Sequence, residues 1–176
     1  MRANQVTLLG TKGGPAIRPG TRMPTSILVE IDGQTILVDA GLGVSRGLCD
    51  AGVALTDLDA ILITHLHSDH YLELGPLLHT AWTAGLSNPI PIYGPEGLDH
   101  YWTGFLNAMS FDVELRLRDE GRPALEPRAP IPVLKPGQLD LGPLQLNTLP
   151  DAPPHHPHRH RHQLESTTPT SHAPPP

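Results

Sequence analysis

One segment, residues 64–70, constrains this chain more than any other part of the sequence. It reads Thr-His-Leu-His-Ser-Asp-His and places three imidazoles and a carboxylate close together. The run before it, residues 59–64, is rich in Ile and Leu, which is typical of a fully buried strand. Imidazole and carboxylate groups are the ligands that zinc and related divalent ions prefer. The sequence therefore predicts a metal site at the end of a strand, where open α/β folds place their sites.

The spacing of these ligands predicts two ions rather than one. If His65 and His67 are extended, their side chains share one face and both reach a single ion at roughly 2.0–2.1 Å. Asp69 and His70 follow as the chain turns into a helix, so they can serve a second ion roughly 3.5–4 Å away. The alternative is a solvated polar turn with Asp69 as a helix N-cap, which leaves three histidines unexplained.

Three further segments accompany the metal motif. They are Leu-Leu-Gly-Thr-Lys-Gly-Gly-Pro at 8–15, Leu-Val-Asp-Ala-Gly at 37–41 and Tyr-Gly-Pro at 93–95. Together with the motif, they make the chain resemble metallo-β-lactamase-fold hydrolases, and most closely the ribonuclease Z-like branch. The resemblance runs from about residue 6 to about residue 149.

The resemblance implies a role for each residue of the motif. His65 and His67 would bind one metal, Asp69 and His70 the other, and Asp39 would support the site from beneath. Asp69 is also the expected catalytic residue. The implied cofactor is Zn²⁺, with two ions in the complete family site and manganese or iron as alternatives. The implied fold is α+β, an αββα sandwich, of which this chain would carry the N-terminal part.

The remaining pattern agrees with a mixed fold, because strands come first and then alternate with helices. Asp32-Gly33 is a hairpin signal between apolar runs at 26–31 and 34–38. The other predicted strands are 5–9, 59–64, 89–93, 113–118 and 144–149. The predicted helices are 44–51, 71–84 with a bend at Gly75-Pro76, and 97–109.

Charge and hydropathy limit the expected partners. A formal net charge of −6 attracts neither nucleic acid nor an anionic membrane. Residues 95–121, near where such enzymes are expected to engage RNA, carry six acidic residues and two arginines. We therefore expect a small-molecule ester or phosphodiester substrate, with nucleic acid as the less favoured partner. No apolar stretch approaches the ~20 residues that span a bilayer, and no signal-peptide pattern is present, so the expected location is the cytoplasm, without a membrane partner.

The composition changes after residue 150. Residues 151–176 hold six of the eleven histidines, seven of the 21 prolines and no aromatic residue. Because such a segment buries too little to offset its ordering entropy, we expect a partial hydrolase domain at 1–150 and a disordered tail at 151–176. The family needs a His-Pro-Pro histidine here, and shifting a back-translation of 151–156 by one base gives Thr-His-Pro-Pro. A frameshift is thus favoured over a natural flexible His/Pro-rich tail, and the DNA sequence tests it.

The predicted function is hydrolysis of an ester or phosphodiester bond by metal-activated water. One alternative is a transfer-RNA 3′-processing endonuclease. The others are a non-catalytic metal-binding protein, whose tail sequesters ions, and an inactive truncated product. With two ligands per ion and no bridging carboxylate, we expect weak metal binding and little hydrolysis. An uncovered sheet face would favour aggregation or a homodimer.

Several weaker signals receive structural interpretations. The glycine-rich segment 10–14 favours an ordinary turn over a phosphate-binding nest. His79 and His100 are expected to be surface or packed histidines rather than ligands, and Cys49 a small buried hydrophobe. Four aromatic residues are expected in the core rather than in a pocket wall: Trp82, Tyr101, Trp102 and Phe105.

Overall fold

The computed structural model describes residues 4–132, 137–141, 144–150 and 160–166. These residues form two β-sheets, with helices packed on one face of the larger sheet. The strands are β1 (Gln5–Gly10), β2 (Ser26–Ile31), β3 (Gln34–Val38), β4 (Ala60–Leu62), β5 (Ile92–Tyr93), β6 (Gly137–Leu141), β7 (Leu144–Pro150) and β8 (His160–Ser166). The helices are α1 (Val44–Asp50), α2 (Ser68–Tyr71), α3 (Leu74–Thr83), α4 (Leu98–Ala108) and α5 (Ser110–Asp119).

The larger sheet brings several strand ends to one edge. Its order is β1-β2-β3-β4-β5, in which β2 is antiparallel to both β1 and β3, while β3, β4 and β5 are parallel. Asp32 and Gly33 join β2 to β3 with φ values of 50° and 86°, as a two-residue turn with two left-handed positions requires. Because β1, β3, β4 and β5 all point the same way, their carboxyl ends meet at one edge. The segments that follow β1, β3 and β4 come together there.

Both faces of the central strands are buried, as the apolar run at 59–64 predicts. Alternate residues such as Leu37 and Ile61 contact the helices, in a core that includes Trp82 and Trp102. The intervening residues form a second cluster on the opposite face, and Leu139 and Leu141 of β6 pack against it. The described residues therefore form helix, sheet and sheet layers of a sandwich. The predicted α+β class is confirmed.

The larger sheet packs against the smaller sheet through one face, and on that face the edge strand β1 is not covered by described residues. Val6 and Leu8 of β1 are each 62% exposed, although both lie in an apolar strand. The expectation of an uncovered sheet face therefore holds only at this edge, because Leu139 and Leu141 pack on the central strands of the same face. No helix within the described ranges is long and apolar enough to cross a bilayer.

The predicted strand at 113–118 is wrong, because these residues belong to helix α5. Val113 and Leu117 are four residues apart and both pack against the core, whereas Leu115 is exposed. The alternation of apolar residues at 113, 115 and 117 suggested a strand. The ion pairs Asp112–Arg116 and Arg116–Glu120 have the i,i+4 spacing that supports a helix instead.

Three smaller predictions also need correction. The helix predicted at 71–84 is two helices, α2 and α3, and Pro76 lies in the first turn of α3 rather than at a bend. The strand predicted at 89–93 is confined to Ile92–Tyr93, at the sheet edge that its prolines indicate. Cys49 is exposed rather than buried, because Val44 and Leu48 are the residues of α1 that face the core.

The smaller sheet has the order β6-β7-β8 and is antiparallel. Within the predicted tail at 151–176, the described segment His160–Ser166 pairs with β7 along its full length. The physical reason is that the outer edge of β7 offers backbone hydrogen bonds to any extended segment, whatever its side chains. The segment 151–159, which bears the frameshift hypothesis, lies outside the described residues.

Candidate metal centre

The metal motif lies at the edge where the strand ends meet. After β4, Leu66 lies in a bend, and the backbone of His67 is extended, with φ and ψ of −91° and 138°. Helix α2 then begins at Ser68, so Asp69 and His70 have a helical backbone. Asp69 and His70 thus lie on a helix as predicted, whereas the bend at Leu66 separates His65 from His67, so these two residues do not share one continuous extended segment.

The four predicted ligands lie in one cluster. Nε2 of His65 is 3.0 Å from Nδ1 of His67, and Nε2 of His70 is 3.5 Å from Oδ2 of Asp69. The rings of His65 and His70 are 3.9 Å apart between centroids. Two ligands of a tetrahedral zinc with bonds of roughly 2.0–2.1 Å lie about 3.3 Å apart. Each pair thus has close to the spacing that shared coordination of one ion requires.

The donor set fits zinc in chemistry but supplies few ligands for each ion. Within the described ranges, no group of three or more His, Cys, Asp or Glu side chains is arranged to hold a single metal. A catalytic zinc ordinarily keeps three protein ligands and a water. Each described pair therefore supplies two candidate ligands, fewer than a catalytic zinc site needs.

Asp39 lies directly beneath the motif, where the resemblance predicts it. It is 2% exposed and adopts a left-handed backbone with φ of 61°. Its carboxylate accepts hydrogen bonds from the Thr64 backbone N–H at 2.8 Å and the Thr64 hydroxyl at 2.9 Å, and lies 2.6 Å from Nδ1 of His70. A carboxylate on Nδ1 favours the tautomer that carries the proton there, which leaves Nε2 as a metal-binding acceptor.

Asp69 also accepts a hydrogen bond from the backbone of the segment that follows β1. The N–H of Gly14 donates to Oδ2 of Asp69 at 2.6 Å, and Nζ of Lys12 donates to the Gly13 and Gly14 carbonyl oxygens at 2.9 Å each. Burial raises the pKa of the Asp69 carboxyl, but the Gly14 hydrogen bond and the nearby imidazoles outweigh it, so the pKa lies below its usual value. The segment 10–14 was predicted to be an ordinary turn, and sequence reasoning missed this contact.

The motif opens onto a cleft of about 710 Å³. Its wall includes Gly13, Gly14 and Pro15 from the segment after β1, together with Thr25 and the motif residues. None of the four aromatic residues considered for a pocket wall lines this cleft, and Trp82 and Trp102 are buried in the core. The cleft wall is instead glycine backbone and polar side chains.

The other histidines considered from the sequence lie elsewhere. Nε2 of His79 on α3 is 2.8 Å from Oδ2 of Asp112 on α5. His100 on α4 is exposed, with Nε2 3.8 Å from Asp99. Neither histidine lines the cleft, in agreement with the expectation that they are not ligands.

The sequence profile of the Metallo-beta-lactamase superfamily matches residues 19–162. The chain belongs to this superfamily. The motif, the strand that carries it and Asp39 all fall inside the matched range, so the family resemblance is confirmed.

Curated relatives match about two thirds of the chain. It is 42% identical over 116 residues to ribonuclease Z of Mycolicibacterium gilvum, a match that covers 64% of this chain and 40% of the relative. The chain thus spans about 40% of the length of the curated relatives it matches.

Two solved structures support the same fold. The metallo-β-lactamase-fold protein YhfI from Bacillus subtilis has a TM-score of 0.65 at 22% identity, covering 91% of this chain and 57% of that protein. The short form of human tRNase Z also has a TM-score of 0.65, at 24% identity, covering 92% and 64%. At these identities the likeness shows the fold alone.

Proposed function

We propose that this chain carries the metal-binding half of a metal-dependent hydrolase that cleaves a phosphodiester or ester bond. The observation that carries the proposal is the motif itself: two close ligand pairs at a sheet edge, open to a cleft and supported by Asp39. Bound zinc would lower the pKa of a water and stabilise charge on the reacting oxygens. Manganese and iron remain alternatives for the ion.

The residues of this chain would prepare the site in three ways. Asp39 fixes the orientation of His70 and directs Nε2 outward. The N–H of Gly14 donates to Oδ2 of Asp69, the same oxygen that lies 3.5 Å from Nε2 of His70, and so holds that oxygen in place beside the imidazole. The lowered pKa favours the ionised carboxylate of Asp69, which is the form that binds a cation.

Charge around the cleft supports an anionic substrate. Residues 11–22 contain Lys12, Arg18 and Arg22 and no acidic residue, and the same segment supplies Gly13 and Gly14 to the cleft wall. Both arginines are exposed. A phosphodiester entering the cleft would therefore pass close to a positively charged segment, and positive charge raises the local concentration of anions. This favours a phosphodiester over an uncharged ester.

Transfer-RNA 3′-end processing is the second candidate function. The 42% identity to ribonuclease Z of Mycolicibacterium gilvum favours it, and an RNA backbone is also a phosphodiester. The acidic residues at 95–121, most of them on α4 and α5, oppose a long RNA contact on that surface. Binding of a precursor transfer RNA that weakens as salt rises would support this candidate over a small phosphodiester.

The test is zinc-dependent hydrolysis of bis(p-nitrophenyl) phosphate by the full 176-residue chain. We expect a low rate, because the described residues supply two ligands for each ion, and its loss in His65→Ala. His100→Ala, an exposed histidine outside the cleft, is the matched control and should retain the rate. Equal rates and equal zinc binding in the wild type and His65→Ala would contradict the proposal.

The same measurements separate the remaining alternatives. A non-catalytic metal-binding protein would lose most of its affinity when residues 151–176 are deleted and would retain it in His65→Ala. An inactive product would bind zinc through the motif and show no hydrolysis above that of His65→Ala.

A further inference from the structure

Glu73 joins two segments that the metal site needs to hold together. Its carboxylate accepts hydrogen bonds from the backbone N–H groups of Gly43 and Ser45, the latter at 2.9 Å. Its own N–H donates to the carbonyl oxygen of Ala40 at 3.0 Å. Glu73 lies between α2 and α3, shortly after the metal motif, whereas Ala40 and Gly43 lie in the loop between β3 and α1 and Ser45 lies in the first turn of α1.

That loop begins at Asp39, the residue that orients His70. The N–H of Ala40 donates to the carbonyl oxygen of His70 at 2.6 Å, so the loop and the motif are also joined one residue away from Asp39. Gly41 lies against the main chain of Asp69, and a Cβ at Gly41 would overlap the Asp69 carbonyl oxygen. Ala40 and Gly41 of the loop thus contact the turn that carries the predicted ligands, and Glu73 forms a hydrogen bond at the end of the loop, with Gly43.

We propose that Glu73 is a positioning residue for the metal site, which holds the Asp39 loop against the motif and thereby fixes His70. This inference rests on the proposed metal function. Asp39 has a left-handed backbone, a conformation that non-glycine residues maintain only when surrounding contacts impose it. The hydrogen bonds of Glu73 to Gly43 and Ser45 are contacts of that kind, because they fix the loop a few residues beyond Asp39.

The competing interpretation is that Glu73 is only a helix cap. Gly43 precedes α1 and the helix has no side-chain cap of its own, so a carboxylate at its first N–H groups would also stabilise α1. A cap would contribute to folding stability alone. A positioning residue would also change metal affinity in the folded protein, and it would do so through Asp39.

The experiment measures Co²⁺ binding to the folded, full-length chain by absorption titration, alongside thermal unfolding. Glu73→Gln keeps the size of the side chain but replaces one acceptor oxygen with a donor. We expect about tenfold weaker Co²⁺ binding, the lower end of the effect seen when a residue that orients a metal ligand is lost. Glu96→Gln, at an exposed glutamate just before α4, is the matched control and should bind as the wild type does.

A double-mutant cycle tests the route through Asp39. In an Asp39→Asn background, Glu73→Gln should cause little further loss, because the interaction that it supports is already weakened. Full additivity of the two losses would overturn the proposal. Wild-type Co²⁺ affinity in Glu73→Gln with a lowered unfolding temperature would also overturn it and leave Glu73 as a cap.

Two further readouts decide the remaining outcomes. Glu73→Asp is the second variant, and it keeps the charge but shortens the side chain. If neither Glu73→Gln nor Glu73→Asp folds, Glu73 contributes to folding stability alone and the proposal is overturned. If the wild type binds no Co²⁺, the proposed function fails, and the imidazole ¹⁵N and Nδ1–H resonances of His70 in the metal-free chain test Glu73 separately. A shift of these resonances in Glu73→Gln supports the positioning role, and unchanged resonances contradict it.

Discussion

Asp39 and His70 form the contact that connects the fold to the metal motif: Oδ2 of Asp39 lies 2.6 Å from Nδ1 of His70. The two residues follow neighbouring parallel strands, β3 and β4, and are 31 positions apart in the chain. The same carboxylate also holds Thr64, the residue at which the motif begins. The position of His70 is therefore set by the end of an adjacent strand as well as by its own helix.

Asp39→Asn should weaken zinc binding by about 10–100-fold, because a neutral amide polarises the His70 ring less than a carboxylate does. Asparagine tolerates the left-handed backbone at this position, so the change isolates the hydrogen bond from backbone strain. Zinc competition against a chromophoric chelator measures the affinity. Asp57→Asn, at an exposed aspartate outside the motif, should leave it unchanged.

Gly14→Ala should destabilise the chain by about 1 kcal/mol, because Gly14 has φ of 80° and a side chain is strained there. It should also weaken zinc binding, since the Gly14 N–H holds Asp69. Gly13→Ala is the matched control: a Cβ at Gly13 meets nothing within 4 Å, and its φ is not in the left-handed region. Urea unfolding measures the free energy of unfolding of both variants. Equal losses of stability would show that the left-handed conformation of Gly14 is not the cause.

Replacing Arg18 and Arg22 together by alanine should raise KM for a phosphodiester by about fivefold and leave kcat unchanged. The reason is that both arginines are exposed on the segment that forms part of the cleft wall, where they attract substrate without contacting the metal ligands. Arg118→Ala, on α5, removes one positive charge away from this segment and should have no effect on KM. A fall in kcat would place the arginines in the reaction itself.

Asp112→Asn should lower the unfolding temperature at neutral pH but not in acid. A hydrogen bond from Arg116 lowers the pKa of Asp112 against the effect of burial, with His79 as a second partner. A carboxyl group whose pKa is lower in the folded state stabilises the fold when the pH is above its pKa in the unfolded chain, which is about 3.9. It loses that contribution as the pH falls through its pKa in the folded state. The difference between variant and wild type should therefore shrink as the pH is lowered toward and below that range. Asp119→Asn, which removes an ion pair with the neighbouring Arg118, should show a smaller difference at all pH values.

The parts of the fold that were predicted correctly have local causes. The hairpin at Asp32-Gly33 follows from two residues that tolerate positive φ, and β4 follows from an uninterrupted apolar run. The motif lies at a strand end because that run stops at Thr64. The position of Asp39 beneath the site came from the family resemblance, and the structure gives it a physical basis in three hydrogen-bonding partners.

The parts that were missed depend on distant partners. Gly14 and Asp69 are 55 positions apart, and Gly43 and Glu73 are 30 apart, so no local spacing indicates either contact. Helix α5 was predicted as a strand because its apolar residues alternate, and packing against the core selects the i,i+4 pair Val113 and Leu117. The spacing of apolar residues in the sequence does not show whether the alternating residues or the i,i+4 pair will pack against the core.

The most direct test of the metal site is the zinc content of the purified chain after equilibrium dialysis. The account predicts that the wild type and His100→Ala hold equal amounts of zinc, and that His65→Ala and His67→Ala each lose whatever tightly bound zinc exists, because one imidazole of the first pair is removed. Zinc content that is unchanged in both His65→Ala and His67→Ala would contradict the assignment of the motif as a metal centre.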